Sequence, residues 1–186
     1  MYKVCRTEQS ARRQRELELV LLQMMLKRRY EDLSVSDLCE SMQIPRKSFY
    51  RYFASKDGAL FSLIDHTIGD FFQYPAIEKQ GKSDAAFDLE RFFVFWYERK
   101  DLLDALQRSN LSGILVARAS AFTMQEGYLP RQFKRMSPEA QGMVMAFTVS
   151  GLMAMLFSWH RQGFRVTPGE MAKMAIELLT KPMIIK

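Results

Sequence analysis

The sequence predicts an all-α protein, and three observations lead to that prediction. Apolar residues recur at three- and four-residue intervals in nearly every segment, as they do on the buried face of a helix. No segment alternates convincingly with a period of two, so strands are not expected. The 6 prolines and 9 glycines cluster at a few places, where they divide the chain into helices. With 186 residues, 48% of them hydrophobic, the chain can bury a sizeable core.

The first predicted helix covers about residues 10–29, because Leu17, Leu21 and Met25 fall on one face. Two short helices are expected next, separated by the turn Gln43-Ile44-Pro45. Ser36 is the predicted cap of the first of them, without a full capping box because Cys39 stands three residues later. Proline suits the first turn of the second. These two short helices are placed at about 37–42 and 46–53.

The rest of the chain continues as helices. Ser55 is the predicted cap of a longer helix that ends near Tyr74-Pro75, and a polar loop follows it. This helix and the later ones are expected at about 56–72, 83–99, 101–108, 112–124, 138–162 and 168–181.

The distribution of charge indicates a polyanionic partner for one end of the chain. The formal net charge is +6, and residues 1–56 carry 12 Lys/Arg against 7 Asp/Glu, so most of the excess lies there. A basic end on a near-neutral body is typical of proteins that bind nucleic acid. A basic but merely soluble surface is the alternative that charge alone leaves open.

The remaining composition narrows the function classes. The two cysteines, Cys5 and Cys39, form no disulfide framework or metal motif, which fits a reducing compartment. His66 and His160 lack partners at a recognisable spacing, so we expect no metal and no cofactor. No nucleophile, phosphate-loop or dinucleotide motif is present, so we expect no enzyme. No apolar run approaches the roughly 20 residues of a membrane span, so we expect a soluble, cytoplasmic protein without a membrane partner.

Residues 34–60 carry the functional signal, because two short helices joined by a three-residue turn match a helix-turn-helix. Leu38, Met42, Ile44 and Phe49 are predicted to pack against the first helix. The opposite face of the second short helix then stays outside that core. A helix of this kind fits the major groove of DNA.

The exposed positions of this motif are the predicted DNA contacts. Arg46, Lys47 and Ser48 are predicted to contact bases, since arginine and lysine donate to guanine and serine can serve either base type. Ser36, Tyr50, Tyr52 and Lys56 are predicted to contact phosphates, Lys56 beside a helix N-terminus. Arg51 can serve either role.

The same stretch resembles the TetR/AcrR family of bacterial regulators. The matching residues are Ser34-Val35, Asp37-Leu38, Ile44, Ser48-Phe49-Tyr50, Arg51, Phe53, Ser55-Lys56-Asp57 and Leu60. The resemblance implies a three-helix DNA-binding domain, placed at residues 1–55, and a larger helical domain for ligand binding and dimerisation, placed at 56–186. It also implies that ligand binding shifts the fourth helix and weakens operator binding. By linkage, operator binding then weakens ligand binding equally.

Two residues depart from the family pattern. Gln43 stands where the family usually has glycine, so it must adopt the turn conformation that glycine relaxes. Pro45 stands where serine or threonine is frequent, so a hydroxyl cap and a backbone donor are missing. Neither departure lies on the exposed face of the second short helix.

The body of the chain offers two weaker predictions. An aromatic-rich segment predicts a pocket for a small apolar effector, although core packing explains the same residues; the pocket residues are Phe92, Trp96, Phe122 and Met124. Mostly small residues share one face of the helix at 138–162, in a region where the resemblance implies a four-helix dimer interface. The residues of this face are Phe147, Ser150, Gly151, Ala154 and Ser158. Packing within the chain is the alternative.

The sequence therefore predicts a homodimeric, sequence-specific regulator of transcription. It is expected to be a ligand-responsive repressor that binds a palindromic double-stranded DNA operator. One alternative is an architectural or cell-division factor that binds DNA with little specificity. Another is a helical small-molecule sensor whose DNA-binding head is vestigial.

Overall fold

The structure, a computed structural model, describes residues 1–75, 85–125 and 134–180. These residues are helical, apart from loops and one isolated antiparallel bridge between Tyr2 and Phe53, so the prediction of an all-α fold is confirmed. The helices are α1 (Glu8–Met25), α2 (Val35–Ser41), α3 (Arg46–Phe49), α4 (Lys56–Gln73), α5 (Ala85–Glu98), α6 (Lys100–Arg108), α7 (Ser112–Gln125), α8 (Pro138–Arg161) and α9 (Pro168–Thr180), with a 3-10 turn at Tyr30–Asp32.

The chain divides into two compact units. The first comprises Met1–Gly69 with Asp101–Phe122, and the second comprises the described parts of Asp70–Lys100 and Thr123–Lys186. The first unit thus contains α1 to α3, most of α4, α6 and α7. The division into a DNA-binding domain at 1–55 and an effector domain at 56–186 is one of function, and it stays a prediction.

The core of the first unit includes the helix-turn-helix. Leu21 and Met25 of α1, Leu38 of α2 and Phe49 of α3 are fully buried. Because these residues recur at helical spacing, each helix buries one stripe and exposes the other. The predicted small core is confirmed for Leu38 and Phe49, whereas Met42 and Ile44 are half-buried.

A buried carboxylate joins α1 to α4. The Glu18 side chain is 1% exposed and accepts a hydrogen bond of 2.6 Å from the Ser62 hydroxyl. His66 Nδ1 lies 2.9 Å from both Glu18 oxygens, and Gln14 donates to the Ser62 hydroxyl at 2.9 Å. A buried charge is tolerated when its lone pairs are satisfied in this way. His66 therefore has a partner 48 residues away, which no sequence spacing indicates.

The cap of α2 differs from the prediction. Ser34 and Asp37 form a full capping box: the Asp37 amide donates to the Ser34 hydroxyl at 3.1 Å, and the Ser34 amide donates to the Asp37 carboxylate at 2.7 Å. The predicted cap, Ser36, lies inside the helix and is exposed. The prediction was wrong because α2 begins two residues earlier than expected, at Val35, which makes Ser34 the N-cap. The residue three positions after Ser34 is Asp37, and its carboxylate takes the place of the usual glutamate in the capping box. The predicted cap of α4 is confirmed, since the Gly58 amide donates to the Ser55 hydroxyl at 3.2 Å.

The turn between α2 and α3 places Gln43 in the left-handed region, with a φ of 52°. The Ile44 amide donates to the Cys39 carbonyl at 2.9 Å, and the Gln43 amide donates to the Glu40 carbonyl at 3.0 Å. This pattern is a Schellman motif, whose left-handed position glycine usually occupies. The expectation that Gln43 takes the conformation of a glycine is confirmed.

The second helix of the motif is shorter than the predicted 46–53. α3 ends at Phe49, and a hydrogen-bonded turn continues it, with the Phe53 amide donating to the Phe49 carbonyl at 3.2 Å. Beyond this turn the backbone bonds to the start of the chain: the Tyr52 carbonyl accepts from the Lys3 amide, and the Ala54 amide donates to the Met1 carbonyl. Pro45 is the N-cap and makes no side-chain capping bond, as its chemistry predicts.

The second unit is rich in aromatic contacts. Trp159 of α8 lies 5.7 Å from Phe93 and 4.7 Å from Phe164, measured between ring centres. α5 and α9 pack against each other along their length. Gly169, in the first turn of α9, approaches the Glu90 carboxylate closely, since a Cβ there would lie 3.2 Å from it.

α8 departs from the expectation that no segment suits a membrane. Its most apolar 18 residues have a mean hydropathy of 1.6, so the helix is long and apolar enough to cross a bilayer by length and composition alone. The expectation that no apolar run is long enough to span a bilayer was wrong, because small and apolar residues follow one another in α8 without an interrupting charge. Only 28% of that window is buried. A large apolar surface on α8 is therefore left uncovered.

Candidate nucleic-acid interface

α3 and the turn after it present a cationic surface to solvent. Arg46, Lys47, Tyr50 and Arg51 are exposed, whereas Phe49 between them is fully buried. Arg46 donates a long hydrogen bond of 3.4 Å to the Tyr50 hydroxyl, which lies one helical turn away. In the described part of the chain, Lys47 and Arg51 make no ion pair with a carboxylate. Their charges are therefore available to an anion from outside the protein.

The other predicted contacts lie around this surface. Ser36 is exposed on α2, and Ser48 and Tyr52 are half-buried. The centre of the Tyr52 ring lies 6.3 Å from the centre of the buried Phe53 ring. The structure thus places seven of the eight predicted residues on or beside the helix-turn-helix, and their contacts with DNA stay predictions.

Lys56, the eighth residue, has a second role that the sequence did not indicate. Its ammonium group donates to the Tyr30 carbonyl at 2.6 Å and to the Leu33 carbonyl at 2.5 Å. It also lies 4.1 Å from the centre of the Tyr30 ring, at cation–π distance. Lys56 therefore holds the loop that enters α2, and two of its three protons are engaged.

Tyr30 completes this arrangement. Its hydroxyl donates to Asp57 at 2.6 Å, and its amide donates to the Ser109 hydroxyl at 2.9 Å. Burial and the bond to Asp57 raise the pKa of Tyr30 far above its ordinary value, so the phenol remains a donor. The loop before α2 is thus tied to the start of α4 and to the end of α6. No local sequence signal indicates this role for Tyr30.

The structure also brings the start of α1 next to the end of the α3 turn. A groove of about 560 Å³ opens there, lined by Gln9, Ser10, Arg12, Arg13, Glu16, Arg51 and Tyr52. Three arginines and one glutamate line it, and Arg13 donates to the Glu16 carboxylate at 2.7 Å. Arg12 is 83% exposed and lies 3.7 Å from the same carboxylate. The groove carries a net positive charge, so it extends the cationic surface of α3 onto α1.

The predicted pocket residues are spread over the two units. Phe92 and Trp96 are buried in the second unit with ring centres 6.5 Å apart, and Met124 of that unit is exposed. Phe122 is half-buried in the first unit. A shared pocket for these four residues stays a prediction.

The predicted interface residues lie on one face of α8. Phe147 is 70% exposed, Ser150, Gly151 and Ala154 are exposed, and Ser158 is half-buried. Met143 continues the same face and is 73% exposed. The other side of α8 buries Met145, Val149 and Met153 within the unit. The exposed stripe is therefore not used by packing within its own unit.

Several solved structures are similar to this chain. The fatty acid degradation regulator FadR from Bacillus halodurans aligns with a TM-score of 0.60 and 14% sequence identity, over 92% of this chain and 96% of that chain. A TetR-family transcriptional regulator from Streptomyces coelicolor aligns with a TM-score of 0.54 and 18% identity, over 90% and 78%. The TetR-family repressor AlkX from a Dietzia species aligns with a TM-score of 0.53 and 14% identity, over 88% and 90%.

No protein-family model and no curated protein matches the sequence. The similarity lies in the arrangement of the helices and covers both units, while the identities are low. The resemblance predicted from residues 34–60 is thus confirmed at the level of the fold. The chain has the fold of the TetR-family transcriptional regulators.

Proposed function

We propose that this protein is a sequence-specific, DNA-binding regulator of transcription. The observation that carries the proposal is the exposed cationic surface of α3, on a helix-turn-helix in which Leu38 and Phe49 are fully buried. Arg46, Lys47 and Ser48 lie at the start of the helix, where side chains reach base edges in the major groove. Tyr50, Tyr52 and Arg51 follow and are suited to phosphates.

The test is selection of duplex DNA by the purified protein at near-physiological salt. Enrichment of one inverted repeat supports a sequence-specific dimeric regulator. Retention of DNA without an enriched motif favours an architectural or cell-division factor. If no DNA is retained at all, the helix-turn-helix no longer binds DNA, and the result favours a small-molecule sensor.

Two variants then separate base contacts from phosphate contacts. Lys47→Ala is expected to relax the sequence preference at one base pair by about 1–3 kcal/mol. Arg12→Ala, at the edge of the groove, should weaken operator and random DNA equally and lower the salt slope by about one unit. Unchanged selectivity in Lys47→Ala would move that base contact to Arg46 or Ser48.

We propose that the regulator is a homodimer formed through α8. An exposed helix face that carries Phe147 among small residues lets a second helix approach closely and covers the apolar surface. A bilayer would instead favour apolar side chains on every face, whereas the opposite side of α8 packs inside its unit. A twofold dimer also fits an inverted repeat. Sedimentation of the protein at micromolar concentration tests this assembly, and a monomer there would contradict it.

We propose further that the second unit takes a small effector with an apolar chain and an acidic head, and that this effector releases the operator. Phe92 and Trp96 supply apolar surface. Arg91 supplies a cation. Its guanidinium lies 4.8 Å from the Phe71 ring, and its Nη2 donates a long bond of 3.4 Å to the Phe71 carbonyl. Its Nε is buried without a hydrogen-bond partner among the described residues. A buried, unpaired donor favours an anionic partner. FadR is a fatty acid degradation regulator, and AlkX is implicated in the biodegradation of n-alkanes. Fatty acids and n-alkanes both contain an apolar hydrocarbon chain, which supports this class of effector.

Decanoate and its methyl ester form the matched pair of probes for this effector. The acid should release labelled operator DNA at lower concentration than the ester, and Arg91→Met should abolish that difference. Equal responses to acid and ester in the wild-type protein would remove Arg91 from the proposed site. No response to either would leave the protein without this class of effector.

A further inference from the structure

Residues 1–3 pair with the chain that follows the α3 turn. Tyr2 and Phe53 form an antiparallel bridge. The Lys3 amide donates to the Tyr52 carbonyl at 2.9 Å, and the Ala54 amide donates to the Met1 carbonyl at 3.0 Å. The short segment Met1–Lys3 therefore runs alongside residues 52–54, which connect the cationic surface to α4.

Gly58, in the first turn of α4, makes room for this segment. A Cβ at Gly58 would lie 2.5 Å from the Met1 carbonyl oxygen and 3.1 Å from its carbonyl carbon. Such a contact between backbone atoms cannot be relieved by turning a side chain. The segment is thus packed directly on α4, and only glycine permits that approach.

The Tyr2 side chain extends the attachment across the first unit. Its hydroxyl donates to the Asp65 carboxylate of α4 at 2.6 Å. Arg118 of α7 donates two hydrogen bonds to the same carboxylate. Burial and the bond to Asp65 raise the pKa of Tyr2 to about 12. The phenol therefore remains protonated and keeps donating at neutral pH.

We propose that Tyr2 is a positioning residue for the DNA-binding surface: it holds residues 52–54, and through them the end of the α3 turn, in a fixed place against α4. This role rests on the proposed function. Tyr2 needs no contact with DNA for it. The carboxylate of Asp65 acts as the anchor, and Arg118 orients that carboxylate from α7.

This arrangement predicts that Tyr2 affects operator binding although it lies outside the DNA-binding surface. Without the phenol hydroxyl, the segment keeps its backbone bonds but loses its anchor. Residues 52–54 then sample more positions, so Arg51 and Tyr52 still attract phosphates but hold α3 less firmly in register with the bases. Specific binding suffers more than non-specific binding, because only specific binding needs every contact in register at once.

The experiment measures binding of operator and random duplex DNA by wild-type protein, Tyr2→Phe and Asp65→Ala, alone and combined. Tyr2→Phe is expected to weaken operator binding about 3- to 10-fold, the range that loss of one hydrogen bond allows. Asp65→Ala removes the two bonds from Arg118 as well, so its effect should be at least as large. The double variant should bind no more weakly than Asp65→Ala alone, because Asp65→Ala already breaks the link that Tyr2→Phe removes. Binding of random DNA and the salt slope should stay within about twofold of wild type.

Two further variants keep the test independent of folding. Gly58→Ala displaces the Met1 carbonyl without touching Tyr2, and it should weaken operator binding to a similar extent. Tyr97→Phe, which removes a phenol hydroxyl from an exposed position of α5, should have no effect. Hydrogen exchange of the Ala54 amide should accelerate in Tyr2→Phe while exchange in the buried part of α1 is unchanged, which a general loss of stability would not produce.

The outcomes separate this proposal from the proposed function. If the wild-type protein enriches no operator, the function fails and the role of Tyr2 in it fails as well. If the wild-type protein binds an operator and Tyr2→Phe binds it equally tightly, the positioning role alone is overturned. Additive effects of Tyr2→Phe and Asp65→Ala would also overturn it, because the two residues would then act separately.

Discussion

Replacement of Lys56 by methionine separates a structural role from a contact with DNA. Methionine keeps a long flexible side chain and removes the charge and the three protons. In the wild-type protein, the ammonium group donates to the carbonyls of Tyr30 and Leu33 and lies over the Tyr30 ring. A lysine that serves phosphates alone would leave the stability of the free protein unchanged.

The size of the effect follows from the burial of the two carbonyl residues. Tyr30 is 8% exposed and Leu33 is 3% exposed, so water reaches these carbonyls poorly. A hydrogen bond from a charged donor contributes about 1.5–3 kcal/mol, and an acceptor left unpaired costs about 1–3 kcal/mol. Because the two bonds share one ammonium group and the loop can relax, we expect a total loss of about 2–3 kcal/mol.

Urea unfolding of the free protein measures this loss. Lys47→Met is the matched control, since Lys47 is exposed and should change the free energy of unfolding by less than about 0.5 kcal/mol. The salt slope of DNA binding then shows whether the third proton of Lys56 also serves a phosphate. If Lys56→Met unfolds like the control, the contacts with Tyr30 and Leu33 contribute nothing, and the reasoning is refuted.

Three further predictions concern single positions. Gln43→Gly should raise the free energy of unfolding by about 0.5–1 kcal/mol in urea, because it removes a left-handed non-glycine residue; a loss of stability would show that the glutamine side chain compensates. Ser34→Ala should cost about 1 kcal/mol, and Ser36→Ala almost nothing, by the same assay; equal effects would contradict the observed cap. The hydrogen bond with the Ser34 hydroxyl lowers the pKa of Asp37 below its ordinary value of 3.8. The ionised carboxylate therefore stabilises the fold above pH 3.8, and this stabilisation is lost as the pH falls through the lowered pKa. The loss of stability in Ser34→Ala should accordingly be smaller in acid. Phe147→Glu should convert the proposed α8 dimer to a folded monomer in sedimentation, whereas an unchanged dimer would place the interface elsewhere.

The sequence by itself determined the helices and the character of the helix-turn-helix. Apolar spacing is a property of each helix alone, so the helices were predicted to within a few residues at most ends, except at α3. The left-handed turn at Gln43 was predicted from the family resemblance, because the family usually has glycine at this position. The exposure of Arg46 and Lys47 followed from the burial of Phe49 on the opposite face.

The tertiary structure alone decided which side chains meet across the chain. Tyr2 meets Asp65, Lys56 meets the carbonyl of Tyr30, and Glu18 meets His66 over separations of 63, 26 and 48 residues. No periodicity encodes such pairs, since they depend on the angles at which helices cross and on the rotamers that packing allows. The same reason explains why the sequence predicted Lys56 as a phosphate contact. Its charge can be read from the sequence, whereas its partners, the carbonyls of Tyr30 and Leu33, lie 26 and 23 residues away along the chain.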